Sequence, residues 1–177
     1  MKPIPLSAVL LPHPDFPAPD VAVDVAGFWE DMGLRLEYTL RGALSAVLFP
    51  APGQELDAER LWAHSCCEVF VATEKRRAYR EYNFSPNGQW AIFDFSAYRQ
   101  RAESPPALPA PRTQWQSAAD ALHLSLVLLL PAAPLRLALA VVLETRAGHL
   151  AYYALRHPPG APDFHHRTNF MRHLLPT

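Results

Sequence analysis

Three stretches of the sequence combine aromatic rings with carboxylate, amide, guanidinium and imidazole groups. They cover residues 61–70, 79–99 and 152–166. Saccharides present apolar C–H faces, which stack on aromatic rings, and hydroxyls, which pair with carboxylates, amides and arginine. The candidate ligand-binding residues are Trp62, His64, Glu68, Glu81, Asn83, Trp90, Arg99, Tyr152 and His157. Their chemistry is compatible with the binding of a small polar ligand such as a saccharide.

Each of these residues also has a purely structural interpretation. Aromatic residues on strands are usually core residues, and Glu68 or Glu81 could simply pair with Arg99 or Arg80. Asn83 could cap the turn that follows it. Under this alternative, Glu81 and Asn83 are buried and bonded to each other, and no pocket opens beside them.

Enzyme and cofactor signatures are absent from the sequence. It has no phosphate loop, dinucleotide glycine pattern, nucleophile elbow or His-Glu-x-x-His motif. The segment 163–166 contains residue types that bind metals, but spacing fixes no third ligand. Haem would need His64 or His157 as an axial ligand. We therefore expect no catalytic residues, no cofactor and no metal, and we keep a haem or metal protein as a minor alternative.

Composition excludes several classes of partner. The chain has 177 residues and a formal net charge of −1, so it lacks the basic surface that nucleic acids or anionic membranes attract. The longest apolar stretch, 122–143, alternates and contains two prolines, which argues against a membrane helix. These features predict neither nucleic-acid binding nor a membrane span, and they leave the oligomeric state open.

The compartment is inferred from the first residues and from the cysteines. The apolar run 4–11 is marginal as a signal peptide and no clear cleavage site follows it, so we expect a cytoplasmic protein. The two cysteines, Cys66 and Cys67, are neighbours and cannot join distant segments. We expect one buried and one half-buried thiol, with a strained vicinal disulfide as the alternative.

Prolines mark the joints of the predicted fold. The sequence contains 19 of them, and they leave windows with a period-2 pattern typical of half-buried strands. These windows cover residues 34–41, 44–49, 67–72, 79–84, 89–95, 122–130, 135–143 and 149–155. Segments 79–95 and 122–143 each read as a strand, a turn and a returning strand. Segments 55–63 and 73–79 could hold helical turns, and 101–112 reads as an exposed loop.

The pattern predicts seven to nine short strands in an all-β, antiparallel β-sandwich with an immunoglobulin-like or jelly-roll architecture. We expect a single domain over residues 1–177. Residues 1–20, which are rich in proline, are predicted to form an N-terminal arm.

Three blocks of the sequence resemble a known family. They are LWAHSCCEVF, YREYNFSPNGQWAIFDFSAYR and VVLETRAGHLAYYALRHPPGAPDFHH. In this order they resemble the DOMON-like bacterial proteins, in the form associated with UDP-N-acetylmuramate dehydrogenase, over roughly residues 34–166. The pattern Tyr-x-Glu-x-Asn-x-Ser-Pro-x-Gly, which begins at Tyr79, is also similar to family 9 carbohydrate-binding modules. Cys67 departs from the DOMON-like pattern, in which an aromatic residue is more typical.

The resemblance implies a DOMON-like β-sandwich with a non-catalytic, ligand-binding role, for a saccharide or glycan fragment. Two alternatives stay open at this point. One is a structural or protein-interaction domain without a small ligand, and the other is a haem- or metal-binding DOMON domain. A cytoplasmic ligand such as a cell-wall precursor is as compatible with the sequence as an extracellular sugar.

Overall fold

The computed structural model describes residues 6–30, 33–73, 76–103, 109–130 and 133–174. These residues form thirteen β-strands and three short 3-10 helices. The strands are β1 Leu6–Pro12, β2 Val21–Glu30, β3 Gly33–Gly42, β4 Val47–Leu48, β5 Cys66–Thr73, β6 Tyr79–Phe84, β7 Trp90–Ala97, β8 Gln100–Arg101, β9 Arg112–Ser117, β10 Ala121–Leu128, β11 Leu135–Thr145, β12 Leu150–Ala154 and β13 Arg172–Leu174. The 3-10 helices are Leu44–Ala46, Ala58–Ala63 and Arg167–Asn169.

The strands form two antiparallel layers. The first layer has the order β1-β2-β3-β10-β9, and the second has the order β8-β7-β6-β5-β11-β12. Strand β1 joins them, because residues 6–10 pair with β2 whereas Leu11 and Pro12 pair with β12. The short strands β4 and β13 pair with β11. The predicted all-β, antiparallel sandwich is therefore confirmed.

The main core lies between the two layers. The alternation predicted for β3 is observed, since Leu34, Leu36, Tyr38 and Leu40 are all buried in this core. Val69 and its same-face neighbours on β5 and β11 belong to the same cluster. One hydrogen bond crosses the core: the Tyr38 hydroxyl donates to the Glu68 carbonyl oxygen over 2.9 Å. This bond satisfies a polar group that would be costly to bury alone.

The second layer is also covered on its outer face. A second apolar cluster there includes Phe70, Tyr79 and Phe95 from the strands, together with Leu61 and Phe170 from the covering segments. The cover consists of the Ala58–Ala63 helix and the segment that follows β12. Strand β5 is consequently buried on both faces, in contrast to the half-buried strand that its alternation predicts.

Four details of the strand prediction were wrong. Residues 6–12 fall within the predicted N-terminal arm, where no strand is predicted, and they form the strand that joins the layers. Residues 44–49 form a 3-10 helix and a two-residue strand, not one strand. Strands β10 and β11 are not paired, because β10 lies between β3 and β9 and the chain crosses to the other layer. The described strands also outnumber the predicted seven to nine.

The remaining local predictions had mixed outcomes. The helical turn expected in 55–63 is observed at Ala58–Ala63. Residues 76–78 are not helical, and residues 74–75 lie outside the described part of the chain. The predicted loop 101–112 is bounded by β8 and β9, and its residues 104–108 also lie outside. Cys66 and Cys67 are both buried free thiols, so the expectation of a half-buried thiol and the vicinal-disulfide alternative were both wrong.

No helix in the described ranges is long and apolar enough to cross a membrane.

Candidate functional site

A cleft of about 550 Å³ opens on the outer face of the second layer. Strands β5, β6, β11 and β12 supply its floor, and the Ala58–Ala63 helix, the β7–β8 turn and segment 162–165 supply its walls. The lining residues are Trp62, Glu68, Glu81, Phe95, Arg99, Arg101, Val142, Leu150, Tyr152, Pro162, Phe164 and His165. Five of the nine residues predicted from the sequence are among them.

Two buried carboxyl groups lie in the floor of the cleft. Strand register places Glu68 opposite Asn83, and Glu81 opposite Phe70. The two glutamates are therefore diagonal neighbours on one face of the β5–β6 pair, a relation in which Cα atoms are about 7–8 Å apart. Glu68 is 3% exposed and Glu81 is 4% exposed.

Glu81 is held in place by Asn83, which is fully buried beneath the cleft. The Asn83 Nδ2 group donates to Glu81 Oε1 over 2.7 Å, and the Cys66 thiol lies 3.8 Å from Asn83 Oδ1 as a weak donor. The structural alternative is therefore correct about the Glu81–Asn83 bond. It is wrong about the pocket, because the cleft opens directly beside Glu81.

Glu68 differs from Glu81 in its partners. Within the described part of the chain, no side chain or backbone group donates a hydrogen bond to the Glu68 carboxyl or forms an ion pair with it. Burial, and then the nearby Glu81 carboxyl, raise the pKa of Glu68 well above its usual range, and Arg99 opposes this change. Burial also raises the pKa of Glu81, against the hydrogen bond from Asn83 and the charges of Arg101 and Arg99. The floor thus carries two carboxyl groups, and the nearby arginines offset the cost of ionising them only in part.

A chain of polar contacts reaches Glu81 from the other side. The backbone N–H of Arg99 donates to the Tyr79 hydroxyl over 3.0 Å, and that hydroxyl lies 2.8 Å from His165 Nδ1. When the hydroxyl donates to Nδ1, the proton of the neutral imidazole is on Nε2, which lies 3.7 Å from Glu81 Oε2. Burial, reinforced by Arg99, lowers the pKa of His165 to about 4, so its ring is neutral at pH 7.

Arg99 forms part of the wall because of the turn between β7 and β8. Its φ of 54° places it in the left-handed region, which a residue with a side chain adopts at some cost. Its guanidinium donates to Asp163 Oδ1 over 2.9 Å, and Tyr98 donates to Asp163 Oδ2 over 2.6 Å. Burial opposes ionisation of Asp163, but these two hydrogen bonds outweigh it and lower its pKa. The turn is thereby tied to the segment that carries Phe164 and His165.

Arg101 braces the opposite wall. Its guanidinium bonds to Glu59 on the Ala58–Ala63 helix and lies 4.0 Å from the centre of the Phe93 ring. Both cleft arginines therefore have an acidic partner of their own.

Trp62 projects from the 3-10 helix beside the cleft. The helix is capped by Asp57, whose side chain accepts from the Glu59 N–H, and it is anchored by the fully buried Leu61. Gln89 fixes the preceding loop by bonding both the N–H and the C=O of Leu56. With its neighbour anchored, Trp62 stays 43% exposed at the rim, and the Arg60 guanidinium lies 5.7 Å from the centre of its ring.

Tyr152 faces the same space from β12, since it is paired with Val142 on the outer face of the sheet. The Phe164 ring lies 6.1 Å from the Tyr152 ring. The cleft thus has aromatic rings on two sides and carboxyl groups in its floor.

Four predicted residues lie outside the lining. Asn83 supports Glu81 from below. His64 bonds to Glu144 over 2.8 Å. His157 Nε2 lies 2.8 Å from the Leu11 carbonyl oxygen, beside a separate depression. Trp90 is paired with Phe84, and this register places it on the opposite face of the sheet from Glu81.

Sequence reasoning missed seven of the twelve lining residues, most of which lie in the second half of the chain. Phe164 and His165 lie in the Asp163–His166 segment, which was considered for metal binding but not for this site. Phe95 shares the outer face of β7 with Phe93, which pairs with Glu81, so the hairpin register would have identified it. Nothing in the sequence pattern points to Val142, Leu150 or Pro162.

Among the described residues, no group of three or more His, Cys, Asp or Glu side chains is arranged to hold a metal ion.

Two solved structures share the fold of this chain. One is a proposed carbohydrate-binding protein from Bacteroides uniformis, with a TM-score of 0.66 and 18% identity over 93% of this chain and 84% of that chain. The other is a family 9 carbohydrate-binding module from Caldicellulosiruptor kristjanssonii in complex with glucose, with a TM-score of 0.57 and 12% identity over 81% of this chain and 71% of that chain. No family model matches the chain, and no curated protein matches it. The structural likeness extends the predicted similarity to family 9 modules from one motif to the fold.

Proposed function

We propose that this chain is a non-catalytic saccharide-binding module and that the cleft holds the ligand. The observation that carries the proposal is the Glu68 carboxyl: it is 3% exposed, faces the cleft, and receives no hydrogen bond from any described residue. The carboxyl oxygens face the open cleft and have no bond within the described part of the protein, so a ligand hydroxyl can donate to them.

The rest of the lining fits the same kind of ligand. Trp62 and Tyr152 offer rings for the apolar face of a sugar, and Glu81 offers a second acceptor at a fixed position. A volume of about 550 Å³ lies within the range of small-molecule sites. The two proteins of similar fold are both described as carbohydrate-binding, which supports a saccharide over other polar ligands.

The family and the compartment are part of the same proposal. The DOMON-like resemblance and its association with UDP-N-acetylmuramate dehydrogenase remain predictions from the sequence. We propose a cytoplasmic location, which is supported by two adjacent cysteines that are both unpaired.

A structural or protein-interaction role is the second candidate function. It is favoured by the Asn83–Glu81 bond, which is the kind of satisfied buried pair that a sandwich without a ligand would also contain. It offers no reason for the unpartnered Glu68 carboxyl, so we rank it second.

Replacement of Trp62 by Ala tests the proposed function. Saccharides that bind the wild-type protein would first be identified on a glycan array and then measured by isothermal titration calorimetry. We expect Trp62→Ala to weaken binding at least about tenfold, since the loss of ring stacking removes more than about 1.4 kcal/mol. Trp90→Ala is the matched control, because Trp90 is similarly exposed but lies on the other face of the sheet. Absence of binding to all mono- and oligosaccharides would refute the proposal, and so would equal losses in the two variants.

A further inference from the structure

We propose that the cleft selects a saccharide with a protonated amino group, and that the ammonium is held between the Glu68 and Glu81 carboxylates. This inference rests on the proposed function and specifies the class of sugar. It is carried by the charges around the cleft and by the partners that those charges already have.

The acidic groups around the cleft outnumber the basic ones. Four carboxyl groups, three guanidiniums and one neutral imidazole surround the floor and walls, counting Arg60, which lies 5.7 Å from the centre of the Trp62 ring at the rim. The ionisable groups on the elements that face the two glutamates are Arg99, Arg101, Asp163, His165, Tyr79, Tyr152 and Cys66, with Glu59 behind Arg101. An ammonium that binds beside the two glutamates favours the ionised form of both carboxyls, and neither of these carboxylates has a protein cation bonded to it.

The two arginines offset the charge of the floor only in part, because each is bonded to another carboxylate. Arg99 bonds to Asp163 over 2.9 Å, and Arg101 bonds to Glu59. His165 brings no charge at neutral pH, and it presents at most one N–H to Glu81 across 3.7 Å. The carboxylates that have no bonded cation are therefore those of Glu68 and Glu81.

The Glu68 carboxyl shows that the acidic floor is open to a ligand. It is more than nine-tenths buried, lines the cleft, and has no hydrogen-bond or ion-pair partner in the described ranges. Glu81 lies diagonally across the strand pair with Oε2 still available. An ammonium has three donors and no acceptor, so it can bond both carboxylates at once, which a hydroxyl with a single proton cannot do.

The aromatic walls suit the same group. Trp62, Tyr152 and Phe164 line the cleft around the two carboxyls. The face of an aromatic ring attracts a cation within about 6 Å of its centre. The site therefore combines two anions with rings that favour an ammonium and also stack on the sugar.

Calorimetry with three methyl glycosides tests the inference. They are the glucoside, the 2-amino-2-deoxyglucoside and its N-acetyl derivative, measured with the full chain at pH 6.5 and low salt. We expect the amino sugar to bind at least about tenfold tighter than the glucoside, since hydrogen bonds with a charged group are about twice as strong as neutral ones. The N-acetyl derivative, which has no positive charge, should lose this preference, and added salt should reduce it.

Two charge-removing variants then locate the effect. Glu68→Gln keeps the shape of the side chain and should bring the ratio of amino sugar to glucoside affinity close to one. Glu37→Gln is the matched control, because Glu37 is exposed on β3 of the other layer, and it should keep the wild-type ratio.

The outcomes separate this inference from the proposed function. Equal affinities of the wild-type protein for the three glycosides would overturn the amino-sugar inference and leave saccharide binding intact. A preference that survives Glu68→Gln in a folded variant would also overturn it. Absence of binding to all three glycosides would overturn the amino-sugar inference, and the proposed function would fall with it only if the glycan array also showed no binding. The wild-type ratio needs no variant, so the inference stays testable even if Glu68→Gln does not fold.

Discussion

The inner and outer faces of strands β5 and β6 differ in what covers them. On the inner face, Tyr82 and Phe84 pack into the core between the layers. On the outer face of β6, Glu81 and Asn83 lie beside a cleft. The inner face meets another sheet, whose regular side chains pack against it. The outer face meets a short helix and an irregular segment, which cover the apolar residues around Phe70 but leave the carboxyl groups accessible.

This difference indicates which face of such a sandwich can hold a binding site. The sheet-to-sheet core is a cluster of buried hydrophobic residues, so a substitution there is expected to affect stability alone. A sheet covered by loops can retain buried polar groups that the protein does not satisfy, and a ligand can satisfy them. The two faces should therefore respond differently to substitution, and each prediction below tests that contrast.

The largest loss of stability is expected on the inner face. Phe84 is 1% exposed, and Phe84→Ala should reduce the free energy of unfolding by about 3–5 kcal/mol, because it leaves a cavity in the main core. Urea denaturation followed by circular dichroism would measure this loss. In the protein that remains folded, saccharide affinity should be unchanged. A large loss of affinity per folded molecule would show that the two faces are coupled and would contradict the contrast.

An intermediate effect is expected from the support beneath the cleft. Asn83→Ala removes the donor to Glu81 Oε1 and leaves a buried acceptor, which should lower stability by about 1–3 kcal/mol. It should also weaken saccharide binding, since Glu81 is no longer held in position. Denaturation and calorimetry on one sample would measure both effects.

A second substitution tests the cause of that stability loss. In the Asn83→Ala background, Glu81→Leu removes the unsatisfied carboxyl and should restore part of the stability without restoring binding. If Glu81→Leu destabilises the double variant further, the loss in Asn83→Ala does not come from the unsatisfied acceptor.

The two faces also differ in how well the sequence predicts them. Inner-face residues such as Leu36 and Val69 follow the period-2 pattern, because burial against a second sheet requires every other residue to be apolar. The same period correctly puts Glu81 and Asn83 on the opposite face from Phe84. The same period, together with the register of the β6–β7 hairpin, places Trp90 on the inner face with Phe84 and therefore outside the site.

The other half of the site does not follow from local patterns. Phe164 and His165 reach the cleft because Asp163 accepts hydrogen bonds from Tyr98 and Arg99, more than sixty residues earlier in the chain. Local patterns also do not predict the strand formed by residues 6–12, because its partners β2 and β12 belong to different layers. Contacts of this range depend on the whole topology, which periodicity and turn signals do not determine.

The smallest expected change in stability has the opposite sign. Glu68→Gln should stabilise the protein at pH 7, on the order of 1 kcal/mol, since it removes a buried carboxyl whose charged form has no hydrogen-bond partner among the described residues.

The raised pKa of Glu68 also determines how the stability difference between the variant and the wild-type protein depends on pH. Below about pH 4, Glu68 is protonated in both the folded and the unfolded state, so the variant should gain little. As the pH rises above about 4.3, the unfolded state releases the proton first, and the wild-type protein loses stability relative to the variant until the folded carboxyl ionises as well. Parallel denaturation of both proteins between pH 4 and pH 8 measures this difference, and Glu37→Gln should stay within about 0.5 kcal/mol of wild type throughout. A loss of stability at pH 7 in Glu68→Gln would mean that Glu68 is a satisfied structural residue, and the outer face would then be as closed as the inner one.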